Sequence, residues 1–261
     1  MSDKPLVQQG LAQELADLVI SVSGASGDMK RTSSDAPGLS ALDFYAGFWQ
    51  TIAREWMGVD KFRINKYYML MRRYVNAGLR LLRAFSWNSD MVSRFNATLS
   101  RPGGPLAYVA ADSPNDVHVP ASLAYHVSDV LLDELDRVAS GDDGKVPLVP
   151  LLMPFVELAA KSTSRAVHER VMSSVIEPVL DECGRIEQAA TSHKRQRVEV
   201  EARFPSLIAS MEDVDGDAET TAGRVRYHLL YTLFKVAGGE DTYTPSRRRL
   251  YALWQAEQED E

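Results

Sequence analysis

Residues 44–87 read FYAGFWQTIAREWMGVDKFRINKYYMLMRRYVNAGLRLLRAFSW, and they are the most informative segment of the sequence. The segment holds half of the aromatic residues in the chain. It also holds eight Lys and Arg residues but only two carboxylates, Glu55 and Asp60, in a chain whose net charge is −7. The first third of the sequence thus contains a basic, aromatic segment within an otherwise acidic protein.

Residues 64–85 have the periodicity of an amphipathic helix. At about 100° per residue, the apolar side chains fall on one face. They are Ile64, Tyr67, Tyr68, Met71, Tyr74, Val75, Leu82 and Phe85. Gly78 lies midway along this face, although an interior glycine costs a helix about 1 kcal/mol relative to alanine. The pattern therefore predicts a long core helix with a closely packed neighbour at Gly78.

The opposite face of this helix is basic. It carries five cations and no carboxylate: Lys66, Arg72, Arg73, Arg80 and Arg83. A solvated helix face usually mixes both signs of charge, and like charges one turn apart do not stabilise a helix. These arguments indicate a docking surface for phosphate groups or for an acidic partner. The alternative is the solvated outer face of a core helix, with no ligand outside the chain.

The composition is that of a soluble globular protein. Of 261 residues, 45% are apolar and 25% are charged, which is ordinary for this class. The single cysteine, Cys183, excludes an internal disulfide and fits a reducing compartment. No apolar run approaches the ~18 residues of a membrane span, and no secretory signal is visible, so we expect no membrane partner. The net charge of −7 argues against a protein that coats nucleic acid over its whole surface.

The rest of the chain also has helical periodicity. In residues 5–22 one apolar stripe consists of Leu11, Leu15, Leu18, Val19 and Val22. A helix over residues 165–183 is predicted to be interrupted at Pro178. About ten helices and no convincing sheet are predicted in all, mostly with short connections. This indicates an all-α fold, an irregular helical-repeat array that resembles a HEAT or armadillo α-solenoid.

We expect a single helical-repeat domain over residues 1–261, interrupted by three polar segments. Residues 23–40 are rich in Gly, Ser, Asp and Pro, which is typical of a flexible loop. Residues 101–117 and 185–220 are predicted as polar insertions. The latter contains a basic run at 194–197, a candidate nuclear import element, and an acidic run at 213–219 that lacks the spacing of a calcium loop.

No pattern of residues indicates catalysis, a cofactor or a small-molecule substrate. The five histidines are scattered without partners at metal-ligand spacing: His118, His126, His168, His193 and His228. Cys183 has no neighbouring His or Lys in sequence that would activate the thiol. We therefore expect neither a metal nor a cofactor, and a protein that is not an enzyme.

Cations and aromatic residues also lie together near the C-terminus. Arg247 and Arg248 precede Tyr251 and Trp254 on the last predicted helix. Such a combination suits RNA, because bases stack on aromatic rings and phosphates pair with arginine. The alternative is that the rings pack inward while the arginines pair with nearby carboxylates.

Residues 48–73, FWQTIAREWMGVDKFRINKYYMLMRR, resemble the signature segment of the ribosomal RNA processing protein 1 family, the Nop52-like ribosome assembly factors. Val59 and Asn65 depart mildly from the family's usual Ile and Asp. Similarity extends over segments 1–19, 119–139, 147–162 and 241–255. The chain starts inside the family domain and lacks the long basic tail of many members, so we expect an N-terminally truncated version of that domain.

The resemblance implies an all-helical, non-catalytic nucleolar factor needed for ribosomal RNA processing. It implies a scaffold in an early pre-ribosomal particle, with other ribosome assembly factors and pre-ribosomal RNA as partners. Two other classes of function compete with it. One is a peptide-binding α-solenoid, either an adaptor or a transport receptor, which would need a groove lined by regularly spaced Asn and Trp. The other is an enzyme on a helical fold, which would need convergent carboxylates or histidines in a pocket.

The helical pattern of residues 64–85 generates a test of stability. Leu82→Ala removes a side chain from the predicted core face, near the C-terminal end of the helix. We expect a loss of about 2–5 kcal/mol in the free energy of unfolding, because the truncation leaves a cavity. Urea denaturation followed by circular dichroism measures it, and an unchanged midpoint would contradict the assignment of this face to the core.

Overall fold

The computed structural model describes residues 4–24, 35–108, 119–140, 144–191 and 202–259. These residues form eleven α-helices. They are α1 (Pro5–Val22), α2 (Asp35–Glu55), α3 (Ile64–Ala84), α4 (Ser89–Ser100), α5 (Ala121–Ala139), α6 (Leu148–Lys161), α7 (Arg165–Val171), α8 (Glu177–Thr191), α9 (Pro205–Ser210), α10 (Thr221–Ala237) and α11 (Thr244–Glu259). A 3₁₀ turn, Trp56–Gly58, follows α2, and a π-helix, Met172–Ile176, joins α7 to α8.

The predicted all-α class is confirmed. Within the described ranges, β-pairing is limited to one isolated parallel bridge between Val146 and Met211. In the same ranges, no helix combines the length and the apolarity that crossing a membrane requires.

Successive helices alternate between two layers. In one layer α3 packs between α1 and α5, and α5 packs on α7. In the other, α4 packs between α2 and α6, and α6 packs on α10. Helices α8 and α11 pack against α10, and α9 packs against α5. Such alternation is the arrangement that stacked helical repeats adopt, and the likeness to HEAT or armadillo arrays stays a prediction.

Helix α3 packs against four other helices of the N-terminal half. It contacts α1 and α5 in its own layer, and α2 and α4 in the other. The predicted apolar face is buried: Met71 and Leu82 are 0% exposed, and Tyr74 is 4% exposed. Tyr67 is half-buried at the N-terminal end. The sequence pattern thus identified both the helix and the side that faces the core.

The close contact predicted at Gly78 is present. A Cβ atom added there would lie 2.7 Å from Cε2 of Phe95 on α4 and 2.8 Å from Cζ of Tyr45 on α2. The two rings stack on each other with centroids 5.4 Å apart and are buried. Both neighbouring helices therefore press an aromatic ring against the α3 backbone at the same residue.

Helix α2 begins earlier than the composition predicted. It starts at Asp35, so residues 35–40 of the predicted flexible loop are helical, and that part of the prediction is wrong. Gly38 explains why, since it is buried and packs against Phe85 and Met91, each 3.0 Å from an added Cβ. A larger residue would require both side chains to shift by a few tenths of an ångström, so this glycine is a packing residue and not a mark of flexibility. Residues 25–34 lie outside the described part of the chain.

Helix α1 turns a different face to the core from the one its leucines define. The buried residues are Gln8, Ala12, Ala16 and Val19. Three members of the predicted stripe are exposed instead, with Leu11 at 37% and Leu18 and Val22 at 43%. Small side chains bring α1 close to α3, where the Tyr74 hydroxyl donates to the carbonyl of Leu15 at 3.0 Å.

The predicted polar insertion at 185–220 is wrong over much of its length. Helix α8 continues to Thr191, and Phe204, Leu207 and Met211 around α9 are at most 3% exposed. The acidic run is held against α10, where Arg224 pairs with Asp213 at 2.6 Å. Residues 192–201, which include the basic run, lie outside the described residues.

The predicted insertion at 101–117 is described only up to residue 108. It too contributes to the core, because Leu106 is 1% exposed. Its backbone N–H donates to the carbonyl of Leu99 at 2.9 Å, which folds the segment back on the end of α4.

The predicted interruption before Pro178 takes the form of the π-helix. Glu177 donates its backbone N–H to the carbonyl of Met172, five residues back. Proline has no N–H, and its ring clashes with the carbonyl four residues back in a regular α-helix. The wider π turn relieves this clash, so the chain continues into α8 without a break.

The contact at Gly78 generates a matched pair of variants. Gly78→Ala should lower the free energy of unfolding by about 1–3 kcal/mol, because its methyl group overlaps two buried rings. Gly47→Ala on α2 is the control, since a Cβ there meets no atom within 4 Å. The control should stabilise the protein by about 0.4–1 kcal/mol. Thermal unfolding of both variants measures the difference, and equal shifts would contradict the contact.

Candidate functional site

The predicted basic row on α3 lies at the seams between α3 and its two neighbours in the same layer. Arg72 binds α5 through an ion pair with Glu134 and a second one with Asp133, at 3.3 Å. Glu134 is 2% exposed and also accepts from Arg137 at 2.7 Å and from Asn76 at 3.0 Å. Arg72 is therefore one arm of a buried polar network that joins α3 to α5.

Two more members of the row bind within the chain. Arg80 pairs with Asp17 of α1 at 2.5 Å between Nη1 and Oδ1. Arg83 donates to the carbonyl of Val138 at 3.0 Å, near the C-terminal end of α5, where a cation stabilises the helix dipole. The premise that the row lacks carboxylate partners is thus wrong for Arg72 and Arg80. The carboxylates come from adjacent helices and not from α3 itself.

Arg73 differs from these neighbours. It is half-buried, and none of the described residues forms an ion pair or hydrogen bond with its guanidinium. Lys66 lies two turns earlier and is also half-buried. Arg72, Arg80 and Arg83 bind within the chain. The part of the predicted row that can face outward is therefore shorter than predicted.

The second predicted basic group divides in the same way. Arg247 donates to the carbonyls of Ala237 at 3.0 Å and Gly239 at 2.7 Å, so it caps the C-terminal end of α10. Arg248 is exposed and has no ion pair with the described residues. Of the two, Arg248 is thus the residue whose guanidinium faces solvent.

The aromatic residues beside these arginines form a surface cluster. Tyr251 and Trp254 of α11 are half-buried against Tyr227, Tyr231 and Phe234 of α10. Ring centroids of Trp254 and Phe234 are 5.2 Å apart, and Tyr227 stacks on Tyr231 at 6.2 Å. The α10 members are 38–48% exposed. The sequence analysis missed them, although their spacing of four and three residues places them on one helix face.

A second surface that the sequence analysis missed lies between α2 and α3. Met57 and Phe62 are 82% and 80% exposed, the highest values among the apolar side chains described apart from Leu6. Both residues belong to the connection of residues 56–63. Periodicity gives no signal in so short a segment, so their orientation was not predictable.

Two histidines lie within hydrogen-bond distance of backbone carbonyls, and the cysteine is buried. Nε2 of His126 lies 2.8 Å from the carbonyl of Tyr68, and burial lowers the pKa of His126. Nδ1 of His168 lies 2.8 Å from the carbonyl of Ala159. Cys183 is fully buried, which raises the pKa of its thiol to about 12 and leaves it unreactive as a nucleophile at neutral pH. His118 and His193 lie outside the described residues.

Two of the clefts between the described residues are open to solvent, and charged residues line both. One, of about 530 Å³, lies between α7 and α11, where Glu169 is paired with Arg165 at 2.6 Å. The other, of about 620 Å³, lies beside α8 and includes the ion pair of Arg226 and Glu257. Among the residues described, no group of three or more His, Cys, Asp or Glu side chains is arranged to hold a metal.

The family model described as "Nucleolar protein, Nop52" matches residues 1–226, well over half of the chain. The chain belongs to the Nop52 family. The resemblance inferred from residues 48–73 is thereby confirmed, and so is the nucleolar location that it implied.

Curated relatives agree with this family. The chain is 31% identical over 160 residues to a ribosomal RNA processing protein 1 homolog of Drosophila melanogaster, a match that covers 61% of this chain and 20% of the fly protein. It is 26% identical over 198 residues to homolog B of Homo sapiens, covering 76% and 23% of the two chains. The homolog of Caenorhabditis elegans is 22% identical over 248 residues, covering 92% and 56%. The chain thus spans about a quarter of the length of the fly and human relatives.

The buried network around Glu134 generates a test of whether Arg72 is structural. Arg72→Met should lower the free energy of unfolding by about 1–3 kcal/mol, because it removes a cation from a buried carboxylate. Adding Glu134→Leu should restore most of the loss, since no unpaired carboxylate then remains buried and the guanidinium of Arg137 is 57% exposed to water. Urea denaturation of the single and double variants measures this. A single variant as stable as the parent would contradict the structural role.

Proposed function

We propose that this chain is a non-catalytic scaffold in an early pre-ribosomal particle and acts in the processing of ribosomal RNA. The match to the Nop52 family over residues 1–226 carries the proposal. The relatives in fly, human and worm are named for ribosomal RNA processing, which supports the same step for this chain. Its partners are other assembly factors and pre-ribosomal RNA.

The distribution of charge supports a scaffold that contacts its particle at a few places. Arg72, Arg80, Arg83 and Arg247 are engaged within the chain and hold helices together. Arg73 and Arg248 lack such partners among the described residues. We assign external anion contacts to these two.

Depletion and replacement tests the proposed function. The endogenous protein is depleted from cells, and RNA blots follow the precursors of the large-subunit ribosomal RNA. Precursors should accumulate, and the intact chain should restore their processing. Restoration should be equal with Cys183→Ser, since the thiol is buried and unreactive. Normal precursors after depletion would refute a role in processing.

A charge reversal tests the anion contacts. Arg73→Glu with Arg248→Glu should reduce copurification of pre-ribosomal RNA several-fold, because each cation neutralises one phosphate. The slope of log affinity against log salt should also become shallower by about two. Thermal unfolding should be unchanged, because neither guanidinium has an ion pair with the described residues.

Arg80→Glu is the matched control for that reversal. It should cost about 0.5–1 kcal/mol of stability, because the half-exposed pair with Asp17 is lost. It should leave the salt slope of RNA binding unchanged. Equal loss of RNA with the control and with the double reversal would contradict the assignment of Arg73 and Arg248.

A further inference from the structure

The connection between α2 and α3 is a fixed element of structure. Trp56 is 6% exposed, and its indole N–H donates to the hydroxyl of Ser122, near the start of α5, at 2.9 Å. Val59 donates its backbone N–H to the carbonyl of Trp56 at 3.0 Å and packs against the core. The first half of the connection is therefore anchored at two points.

Asp60 holds the second half. Its Oδ1 accepts the backbone N–H groups of Phe62 at 2.9 Å and Arg63 at 3.0 Å, and its Oδ2 pairs with Nε of Arg63 at 2.6 Å. The bond from the Arg63 side chain, together with these backbone bonds, lowers the pKa of Asp60. The carboxylate thus stays ionised near neutral pH and keeps the turn closed before α3 begins.

This fixed connection directs two apolar side chains into solvent. Met57 is 82% exposed and Phe62 is 80% exposed, whereas Trp56 and Val59 beside them face the core. The backbone bonds preset the conformation, so a partner that covers Met57 and Phe62 pays little ordering entropy. Apolar side chains of this size contribute free energy of binding when a partner removes them from water.

The connection carries more cations than carboxylates. Lys61 and Arg63 flank Phe62 in sequence, and Asp60 is the one carboxylate of residues 57–63, in a chain whose net charge is −7. The ammonium of Lys61 lies 5.2 Å from the centre of the Phe62 ring. The complement of this surface is an apolar group next to carboxylates.

We propose that Met57 and Phe62 anchor an acidic protein segment that contributes an apolar side chain, with a carboxylate beside Lys61. Met57 favours a protein over RNA, because an unbranched thioether packs well on apolar side chains and offers nothing to a phosphate or a sugar. Aromatic stacking on RNA would use Phe62 alone and leave Met57 exposed. Protein partners bury such apolar anchors at the centre of an interface.

A photo-crosslink identifies the occupant. Phe62 is replaced by p-benzoylphenylalanine in the full chain, which is expressed in cells and irradiated, and the crosslinked products are sequenced. We expect a protein segment with an apolar residue flanked by Asp or Glu. A crosslink to RNA, or no crosslink, overturns the inference. This readout does not depend on copurification of pre-ribosomal RNA, so it fails or succeeds separately from the proposed function.

Binding of a synthetic peptide with the crosslinked sequence then measures the energetics. Met57→Ser with Phe62→Ser should weaken the affinity at least tenfold, and Lys61→Glu should weaken it severalfold and more strongly at low salt. Leu6→Ser, which alters a side chain that is also 80% exposed, is the control and should leave the affinity unchanged. Unchanged affinity in the Met57 and Phe62 variant, or an equal loss with Leu6→Ser, overturns the assignment.

Discussion

The packing of the N-terminal half depends on the absence of a side chain at Gly78. Because Tyr45 and Phe95 both contact the α3 backbone there, α2 and α4 both pack closely on the apolar face of α3. Helices α1 and α5 are then left with its flanks, where the arginines emerge. Long side chains at such seams must either reach solvent or find a carboxylate on the adjacent helix. Arg72 and Arg80 each pair with a carboxylate on an adjacent helix. Close packing on the apolar face of α3 therefore determines which charged side chains meet at its flanks.

The sequence predicted the faces of α3 correctly but not what lies against them. Periodicity assigns each residue an angle about the helix axis, and this was enough for the buried face and for Gly78. Five cations without a carboxylate correctly indicated that their counter-charges lie outside the helix. The inference that they lie outside the chain failed for Arg72 and Arg80, because Glu134 and Asp17 are 62 and 63 residues away in sequence. Pairing over such separations depends on the tertiary arrangement, which no local pattern encodes.

Composition led to wrong predictions where small residues are needed for close packing. Gly38 resembled part of a flexible loop but fits against Phe85 and Met91, and the alanines of α1 bury a face that its leucines leave exposed. Both have the same cause. A small side chain stabilises the fold by letting two backbones approach closely, and hydrophobicity scales do not include this effect. The exposed pair Met57 and Phe62 was unpredictable for the opposite reason, since large apolar residues are ordinarily assigned to the core.

The π-helix at Met172–Ile176 acts as a register shift in the chain. A π turn holds one residue more than an α turn, so everything after it is rotated by about 100° from where an unbroken helix would place it. With that rotation Cys183 and Glu182 face inward, and Glu182 accepts the backbone N–H of Arg203 at 3.0 Å. A regular α-helix of the same length would turn both away from the core, whereas a regular helix one residue shorter would keep them facing inward. Family members with a regular helix here are therefore expected to be one residue shorter, and an ungapped alignment would match the wrong faces of α8.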